Sequence, residues 1–400
     1  MKVLYTAAHG GFAGEHAPLG GGAAVCDMLT AEWTRTRPFD FELFTPASAT
    51  GHEIVRFDTV GYARFSREFE AASTAAIRSW NPKQTVVLVN DIAEGPDFRS
   101  LSAEGYRLAT VWHVDVVAYI ASIYCRDLLA PESLTSLHRR LGGIYPDVLQ
   151  LIFQKQADCV HHSAAHFVPS PAMKEIIVRC YPLADPHRIH VLPWGAPPVL
   201  PTLKKEQARR ALGVPDNALV LLTLSRLSPE KNQQLLLDAL AEWESRPGFP
   251  TRPVYAVICG GAAYMHGQKH AALLRKKAAR LRKTKVLFPG HVHGQQKQNY
   301  FSAADLYVFP SRHESYGLTL MEAFRYGLPA LTLDHAGARA VMRPGFGAVA
   351  EPATFLDALQ SLAASDLRAK GAAARSFAES HPFSQSAATL AAALCQLQFE

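Results

Sequence analysis

The chain has 400 residues, of which 48% are hydrophobic and 19% charged, a composition typical of a globular protein with room for two domains. Its six scattered cysteines show no C-x-x-C spacing, which argues against a zinc knuckle or a disulfide framework and favours a reducing compartment. The N-terminal apolar run is too short for a signal-peptide core and no later run reaches membrane-spanning length, so we expect a cytoplasmic protein.

The net charge of +6 is spread unevenly along the chain. Residues 1–198 hold 17 basic and 20 acidic side chains, whereas residues 199–400 hold 24 and 15. A basic half attracts anions such as nucleotides, nucleic acids or acidic lipids. Much of the excess lies in residues 269–285, where Leu273, Leu274 and Leu281 predict the buried stripe of an amphipathic helix. We interpret its charges as a solvent-exposed face, expect no nucleic-acid partner, and keep peripheral membrane contact as a minor alternative.

Six short apolar runs in the first half predict β-strands, each followed by a segment with helical spacing. They read KVLYTA, FDFELF, TVVLVN, RLATVWH, HFVPS and RIHVLP. Between the first strand and the first helix, residues 9–22 (HGGFAGEHAPLGGG) carry six glycines. Such a density fits either a flexible turn or backbone that lies against a phosphorylated ligand.

The second half contains five more runs of this kind: ALVLLTLS, PVYAVICG, KVLFPG, DLYVFP and PALTL. Strands that alternate with helices in this way are typical of parallel sheets with both faces covered. The proline-rich residues 193–203 can continue neither a helix nor a central strand, and they separate the two sets. We predict an α/β protein with two doubly wound domains, 1–198 and 199–380, facing across a cleft. Residues 381–400 are predicted as a C-terminal helix, with a return to the first domain as one option.

Two cations follow the first strand of the second half. In TLSRLSPEK, Arg226 and Lys231 lie on the loop between that strand and a helix, with Ser228 and Pro229 providing helix-start chemistry. A planar guanidinium and a compact ammonium at one loop suit a diphosphate. Alone, the pattern favours an arginine and a lysine at a helix start on the surface.

Two carboxylates frame the next motif, PSRHESYGLTLMEAFRYGLPAL. Glu314 lies on the loop after a strand, and Glu322 lies one turn into a helix that begins near Gly317. The free N–H groups at such a helix start form an anion site. Carboxylates beside an anion site suit the binding of hydroxyl groups, as on a ribose or a pyranose.

These residues resemble the retaining, nucleotide-sugar-dependent glycosyltransferases of family 4, which have the GT-B fold of two Rossmann-like domains. The resemblance covers nearly the whole chain. It implies that Arg226 and Lys231 hold the donor diphosphate, Glu314 binds donor-sugar hydroxyls and Glu322 binds the ribose. It assigns the phosphate-capping helix start to Tyr316, Gly317 and Leu318, and the backbone beside the nucleobase to His291 and Val292.

In the first half, PLGGGAAV is similar to the glycine pair that approaches the donor in this family, which points to Gly21 and Gly22. His113 in TVWHVD is similar to the histidine that faces the donor sugar near its anomeric carbon. The chain departs from the family in two places. The loop after the last core strand has Ala336 and Gly337 without the usual glutamate, and Trp194-Gly195-Ala196 replaces the usual end of the first domain.

A metal site is not expected. Histidine groups at residues 161–166, residues 291–293 and residues 113–115 each lack a three- or four-ligand spacing. The resemblance implies a hexosyltransferase with a nucleoside-diphosphate sugar as donor substrate, a hydroxyl acceptor and no resident cofactor. The nucleobase, sugar, acceptor and oligomeric state stay open.

Two other functions remain as alternatives. A nucleotide-sugar 2-epimerase shares the architecture and would draw acid–base carboxylates from Glu15, Asp91 and Asp115. A non-catalytic nucleotide- or RNA-binding protein would use the basic residues 269–285. The Arg226 and Glu314 motifs together favour the glycosyltransferase.

Overall fold

The computed structural model describes residues 1–10, 20–46, 57–123, 128–141, 145–198, 200, 202–262 and 264–397. The chain divides into two compact units: Met1–Trp194 with Ser384–Glu400, and Gly195–Phe383. The sequence-based boundaries after residues 198 and 380 lie four and three residues from these divisions and stay predictions. Within the described residues, no helix combines the length and the apolar character needed to cross a bilayer.

The first unit is built on six parallel strands in the order β2-β1-β3-β4-β5-β6. Their bounds are Lys2–Thr6 (β1), Asp40–Phe44 (β2), Thr85–Val89 (β3), Arg107–Val111 (β4), Ala165–Val168 (β5) and Ile189–Val191 (β6). The register pairs Val3 with Val86 and Val87 with Leu108. Every residue of β3 is buried, as expected of a central parallel strand with helices on both faces. All six strands predicted in this half are confirmed.

Helices cover both faces of this sheet. They are Gly21–Thr36 (α1), Thr59–Arg78 (α2), Phe98–Ala103 (α3), Val116–Ile123 (α4), Pro131–Leu141 (α5), Asp147–His162 (α6), Pro171–Cys180 (α7) and Phe383–Leu397 (α16). Local sequence explains several starts: Asp58 accepts a hydrogen bond from the Gly61 amide at 2.7 Å, and Pro171 follows the capping Ser170. In α16, the Ala387 carbonyl accepts a buried hydrogen bond from Trp33 Nε1 at 3.2 Å, which ties the C-terminal residues to α1.

The second unit contains another six-stranded parallel sheet, in the order β12-β11-β10-β7-β8-β9. The strands are Leu219–Leu224 (β7), Val254–Cys259 (β8), Thr284–Gly290 (β9), Leu306–Phe309 (β10), Ala330–Leu333 (β11) and Gly347–Ala350 (β12). The five strands predicted in this half are confirmed. The sequence pattern missed β12, because this edge strand reads only GAVA and is buried at one of its four residues.

The helices of the second unit pack on both faces of its sheet. They are Lys205–Ala211 (α8), Gln233–Ser245 (α9), Tyr264–Ala278 (α10), Gly294–Ala303 (α11), Leu318–Arg325 (α12), Ala336–Val341 (α13), Phe355–Ala364 (α14) and Leu367–Ser380 (α15). The core between β7, β10 and α9 includes fully buried Leu221, Leu236 and Leu306.

Two local predictions in this unit are wrong. The helix after β7 begins at Gln233, because Ser228 and Pro229 start a single 3₁₀ turn and Asn232 then adopts a left-handed conformation with φ 53°. In α10, Leu274 is buried but Leu273 is 39% exposed. Ala271, Leu274 and Ala278 recur at helical spacing on the inward side, which turns Leu273 toward solvent.

Each sheet has a switch point, where successive connections leave in opposite directions. In the first unit it lies between β1 and β3, and in the second unit between β7 and β10. Because the carboxyl ends of parallel strands share one edge, the loops that follow these strands meet there, and ligands of open α/β sheets bind at such positions. The first switch point is formed by residues 7–10 and 90–95, and the second by residues 225–231 and 310–317.

Candidate functional site

An ion pair spans the second switch point. Lys231 ends the 3₁₀ turn after β7, and Glu314 lies on the loop after β10. Lys231 Nζ donates to Glu314 Oε1 at 2.5 Å, with side chains only 12% and 16% exposed. Two residues that the sequence placed on separate motifs are therefore in direct contact.

Glu314 is held in its charged form. Burial alone would raise the pKa of the carboxyl, but the charge of Lys231, with smaller contributions from His335 and Ser311, brings it below its usual value. The ionised carboxylate has lone pairs beyond the one bound by Lys231, and the ammonium has two further N–H donors. The pair can therefore accept hydroxyl donors on one side and contact an anion on the other.

Gly317 sets the start of α12 beside this ion pair. It adopts a left-handed conformation with φ 82°, which glycine tolerates and other residues resist. Its carbonyl accepts the Leu320 amide at 2.9 Å, while the first amides of the helix have no partner four residues back. The preceding Tyr316 is buried, and Leu318 is the first helical residue.

The loop after β11 packs directly against this helix start. A Cβ atom on Gly337 would lie 2.6 Å from the Tyr316 carbonyl carbon, so only glycine fits. The Gly337 amide donates to the Glu314 carbonyl at 2.9 Å. Gly337 therefore supports the Glu314 loop through its backbone, although its own loop lacks the glutamate that the family resemblance led us to expect.

A buried histidine that the sequence analysis missed lies in the same loop. His335 Nδ1 accepts the Ala338 amide at 2.9 Å, and its Nε2 lies 3.1 Å from Thr332 Oγ1. Burial lowers the pKa of His335 to about 4, against the opposing effect of Glu314. The imidazole is neutral at physiological pH and fixes the start of α13. The signal available in the sequence was a histidine two residues after a predicted strand.

A second ion pair holds Glu322 on the first turns of α12. Lys297, from α11, donates to Glu322 Oε1 at 2.5 Å. The side chains are 25% and 16% exposed, so both keep contact with solvent. The sequence analysis identified Glu322 but missed Lys297, because its helix follows a different strand and its spacing to the glutamate carries no pattern.

Tight backbone contacts shape the loop that carries Arg226. A Cβ atom on Gly260 would lie 1.8 Å from the Ser225 carbonyl oxygen, so the loop after β8 touches the loop after β7. Gln233 Nε2 donates to the Arg226 carbonyl at 2.7 Å, which fixes the backbone of a half-buried arginine.

After β9, Val292 is buried and His291 is half-buried. A Cβ atom on Gly261 would come within 3.8 Å of His291 Cβ. The predicted nucleobase residues thus lie on the loop adjacent to the one after β8. Their role stays a prediction.

The first switch point carries a different chemistry. His9 Nε2 lies 3.3 Å from Glu94 Oε1, Tyr62 donates to the same oxygen, and the His9 amide donates to Asp91 Oδ2 at 3.1 Å. Burial alone would raise the pKa of Glu94, but the bonds from His9 and Tyr62 lower it, whereas burial raises the pKa of Asp91. We call these four residues the His9 cluster. None of them was assigned a role in the glycosyltransferase interpretation.

His113 lies against Gly22, at the start of α1, in the first unit. A Cβ atom on Gly22 would lie 2.9 Å from His113 Cδ2, so glycine is required for the imidazole to approach α1, while Gly21 is exposed. His113 Nε2 donates to Asn90 Oδ1 at 2.9 Å, and its ring stacks on Trp194 with centroids 6.3 Å apart. Burial, with the nearby His9, lowers the pKa of His113 to about 3.

Two of the three carboxylates considered for an epimerase are described. Asp115 is buried and caps α4, with Oδ1 accepting the Ala118 amide at 2.9 Å and Gln156 Nε2 at 3.1 Å. Asp91 belongs to the His9 cluster. Glu15 lies outside the described residues.

Residues 204–372 match the family "Glycosyl transferases group 1". The D-inositol 3-phosphate glycosyltransferase of Streptomyces scabiei is 34% identical over 225 residues, or 54% of this chain and 50% of that protein. The same-named protein of Corynebacterium efficiens is 31% identical over 278 residues, or 64% and 59%. The chain thus spans about half the length of these relatives.

Solved structures share the fold over almost the full length. Anabaena HepE in complex with UDP-glucose has a TM-score of 0.70 at 16% identity, covering 99% of this chain and 100% of that one. Sucrose-phosphate synthase from Thermosynechococcus elongatus has a TM-score of 0.69 at 16% identity, covering 99% and 98%. WaaG, a glycosyltransferase involved in lipopolysaccharide biosynthesis, has a TM-score of 0.68 at 17% identity, covering 97% and 98%.

The two Rossmann-like sheets and these matches define a protein with the GT-B fold, which confirms the predicted fold class. Residues 204–372 match the glycosyl transferases group 1 family, in agreement with the resemblance that the motifs indicated.

Proposed function

We propose that the protein is a retaining glycosyltransferase that moves a hexosyl group from a nucleoside-diphosphate sugar to a hydroxyl acceptor. The observation that carries the proposal is the buried contact between Lys231 and Glu314 beside the Gly317 helix start. This arrangement offers donors to a diphosphate and an ionised acceptor to sugar hydroxyls within one group of loops. The family match of residues 204–372 and the names of the relatives support it.

In the proposed reaction, the bond between the anomeric carbon and the phosphate oxygen breaks, and the acceptor oxygen bonds to that carbon from the same face. The acceptor's proton passes to the leaving phosphate oxygen, so the products are the glycoside and the nucleoside diphosphate. Negative charge grows on the leaving group, where Arg226, Lys231 and the α12 amides stabilise it. These groups supply the positive charge, so we propose that no metal ion is needed.

The remaining predicted residues take supporting roles. Glu314 positions the donor sugar through its hydroxyls, and Glu322 binds the ribose while Lys297 neutralises its charge. His291 and Val292 border the nucleobase. In the first unit, His113 and the glycine pair, Gly21 and Gly22, serve the sugar end of the donor. We place the reaction in the cytoplasm; membrane contact through residues 269–285 stays a prediction.

The test replaces Glu314 by Gln and measures transfer and donor turnover with a panel of UDP-, GDP- and ADP-hexoses. D-inositol 3-phosphate, for which the relatives are named, is the first acceptor to try. Loss of a charge-assisted hydrogen bond to the sugar lowers kcat/KM by ~10- to 100-fold. The control is Asp238→Asn, which breaks the exposed pair with Lys277 in the same unit.

Near-parental turnover by Glu314→Gln would contradict the assigned role. Product stereochemistry provides the second measurement, since the proposal requires the donor's anomeric configuration in the product. Conversion of the donor to its 2-epimer without an acceptor would instead support the epimerase. Salt-dependent RNA binding without donor turnover would support the non-catalytic alternative.

A further inference from the structure

We propose that Asn90 is a positioning residue that fixes the tautomer of His113 and holds the start of α1 against it. The inference rests on the proposed function, in which His113 serves the donor sugar. It adds a residue to which neither the motifs nor the family resemblance assigned a role. Asn90 directly follows β3 at the first switch point and is 1% exposed.

All four hydrogen-bonding positions of the Asn90 side chain are used. Its Oδ1 accepts Tyr5 Oη at 2.6 Å and His113 Nε2 at 2.9 Å. Its Nδ2 donates to the Gly22 carbonyl at 3.3 Å and to Asp91 Oδ2 at 3.2 Å. A primary amide has two acceptor lone pairs and two donor hydrogens, so no capacity is left over. One side chain thus connects β1, the start of α1 and the loops after β3 and β4.

These partners permit only one orientation of the amide. If Oδ1 and Nδ2 exchanged places, the carbonyl would face the Gly22 carbonyl and the Asp91 carboxylate, with oxygen opposed to oxygen. The orientation seen requires His113 to present a hydrogen on Nε2. Because burial lowers the pKa of His113 to about 3, the ring is neutral at physiological pH, and its lone pair lies on Nδ1.

The imidazole is also fixed in space. One edge of the His113 ring lies against Gly22 so closely that a Cβ added to Gly22 would be 2.9 Å from His113 Cδ2. The face of the ring stacks on Trp194. Within the described ranges, no residue hydrogen-bonds to Nδ1. His113 is therefore a preset acceptor for a hydroxyl of the donor sugar or of the acceptor substrate, and it carries no positive charge.

The surrounding titratable groups explain why the neutral side chain of asparagine matters. His9, Asp91 and Glu94 lie on the neighbouring loops, and Tyr5 and Cys26 lie on β1 and α1. Burial raises the pKa of Tyr5 and of Cys26, so both are neutral at physiological pH. A carboxylate in place of the Asn90 amide would stand beside Asp91 and would favour the protonated imidazole.

The experiment compares N90D and N90L with the parent chain, and Y5F is the matched control. Y5F removes one hydrogen bond to Asn90 but leaves the bond to His113 intact. Nitrogen chemical shifts of ¹⁵N-labelled histidine report the tautomer and pKa of His113, which is assigned by loss of its signal in H113Q. Donor kcat and KM are measured between pH 5 and 8, and thermal unfolding checks that each variant folds.

In the parent and in Y5F, we expect a single Nε2–H tautomer with no protonation of His113 above pH 5. N90D raises the pKa of His113 into the measured range, so kcat rises with pH while the parent profile stays flat. N90L removes the acceptor of the Nε2 hydrogen, so His113 populates both tautomers. We expect kcat to fall by ~10- to 100-fold, with KM changed less than ~3-fold. Because N90D matches the shape of the parent side chain, it keeps the test decisive if N90L fails to fold.

The inference is overturned if N90D leaves the His113 signals and the pH profile unchanged, or if N90L keeps the single tautomer. The chemical shifts do not depend on turnover. Expected shifts in a protein that transfers no sugar would therefore reject the proposed function and leave the positioning role of Asn90 intact.

Discussion

The two switch points use opposite electrostatics on the same type of sheet. The second combines ammonium groups with ionised carboxylates, as in the contact of Lys231 with Glu314. The first combines carboxylates with an imidazole, as in the contact of His9 with Glu94, and the neighbouring His113, on the loop after β4, is neutral. The side chains of the first arrangement contact one another, and the lysine that reaches its loops, Lys155, donates to the Gly95 backbone carbonyl at 2.9 Å. We therefore propose that the second unit holds the diphosphate, while the first unit contacts hydroxyl groups.

The largest expected effect comes from removing the ammonium at the second switch point. Lys231→Ala should lower kcat/KM for the donor by ~10²- to 10³-fold, because the charge that grows on the leaving diphosphate loses a preset donor. Steady-state kinetics with the best donor of the panel measure it. Lys277→Ala, which breaks the exposed pair with Asp238, should stay close to the parent. Equal losses of kcat/KM in both variants would show that Lys231 matters no more for donor turnover than a lysine on the surface.

The next effect concerns the α12 helix start. Gly317 and Gly213 both have left-handed backbones, with φ 82° and 64°. Alanine at either position should destabilise the protein by about 1–2 kcal/mol, seen as a lower thermal midpoint. Only Gly317→Ala should also weaken nucleoside-diphosphate binding, by about tenfold, because it disturbs the amides that face the anion. If calorimetry finds that Gly317→Ala leaves the nucleoside-diphosphate affinity unchanged, the start of α12 does not contribute to the anion site.

A third prediction compares the buried histidines of the two units. The pKa of His335 in the folded state is about 4 and that of His113 about 3, so the unfolded chain binds more protons between these values and about pH 6.5. Stability should therefore fall as the pH drops from about 6.5 through 4, by up to ~1.4 kcal/mol per pH unit for each histidine.

Thermal unfolding at pH 7, 6 and 5 measures this slope. His335→Gln should flatten it. An unchanged slope in His335→Gln would show that this imidazole is not held neutral.

The smallest effect is expected at Lys297. Lys297→Met leaves the Glu322 carboxylate uncompensated near an anionic ligand and should weaken nucleoside-diphosphate binding by ~2- to 5-fold, as for a partly exposed ion pair. In a Glu322→Gln background the same substitution should have no effect, because there is no charge left to neutralise. If Lys297→Met weakens nucleoside-diphosphate binding equally in both backgrounds, Lys297 does not act by neutralising Glu322.

The sequence predicted the fold well, because buried parallel strands such as β3 and β8 are continuous apolar runs. It missed β12, whose four residues carry too little pattern. In the second unit, the sequence could select Lys231 and Glu314 as candidates because each lies in a characteristic motif on the loop that follows a strand. Contacts between residues far apart in the sequence were not predictable. Lys297 donates to Glu322 from another helix, and Asn90, after β3, accepts a hydrogen bond from His113, after β4.

Nucleoside-diphosphate binding to the intact chain tests the contrast between the switch points most directly. Calorimetry would compare the parent with R226Q/K231Q in the second unit and with H9Q/D91N in the first. We expect the second-unit variant to lose at least ~100-fold in affinity and the first-unit variant to stay within ~3-fold of the parent. Parental affinity in R226Q/K231Q, or a matching loss in H9Q/D91N, would contradict the account.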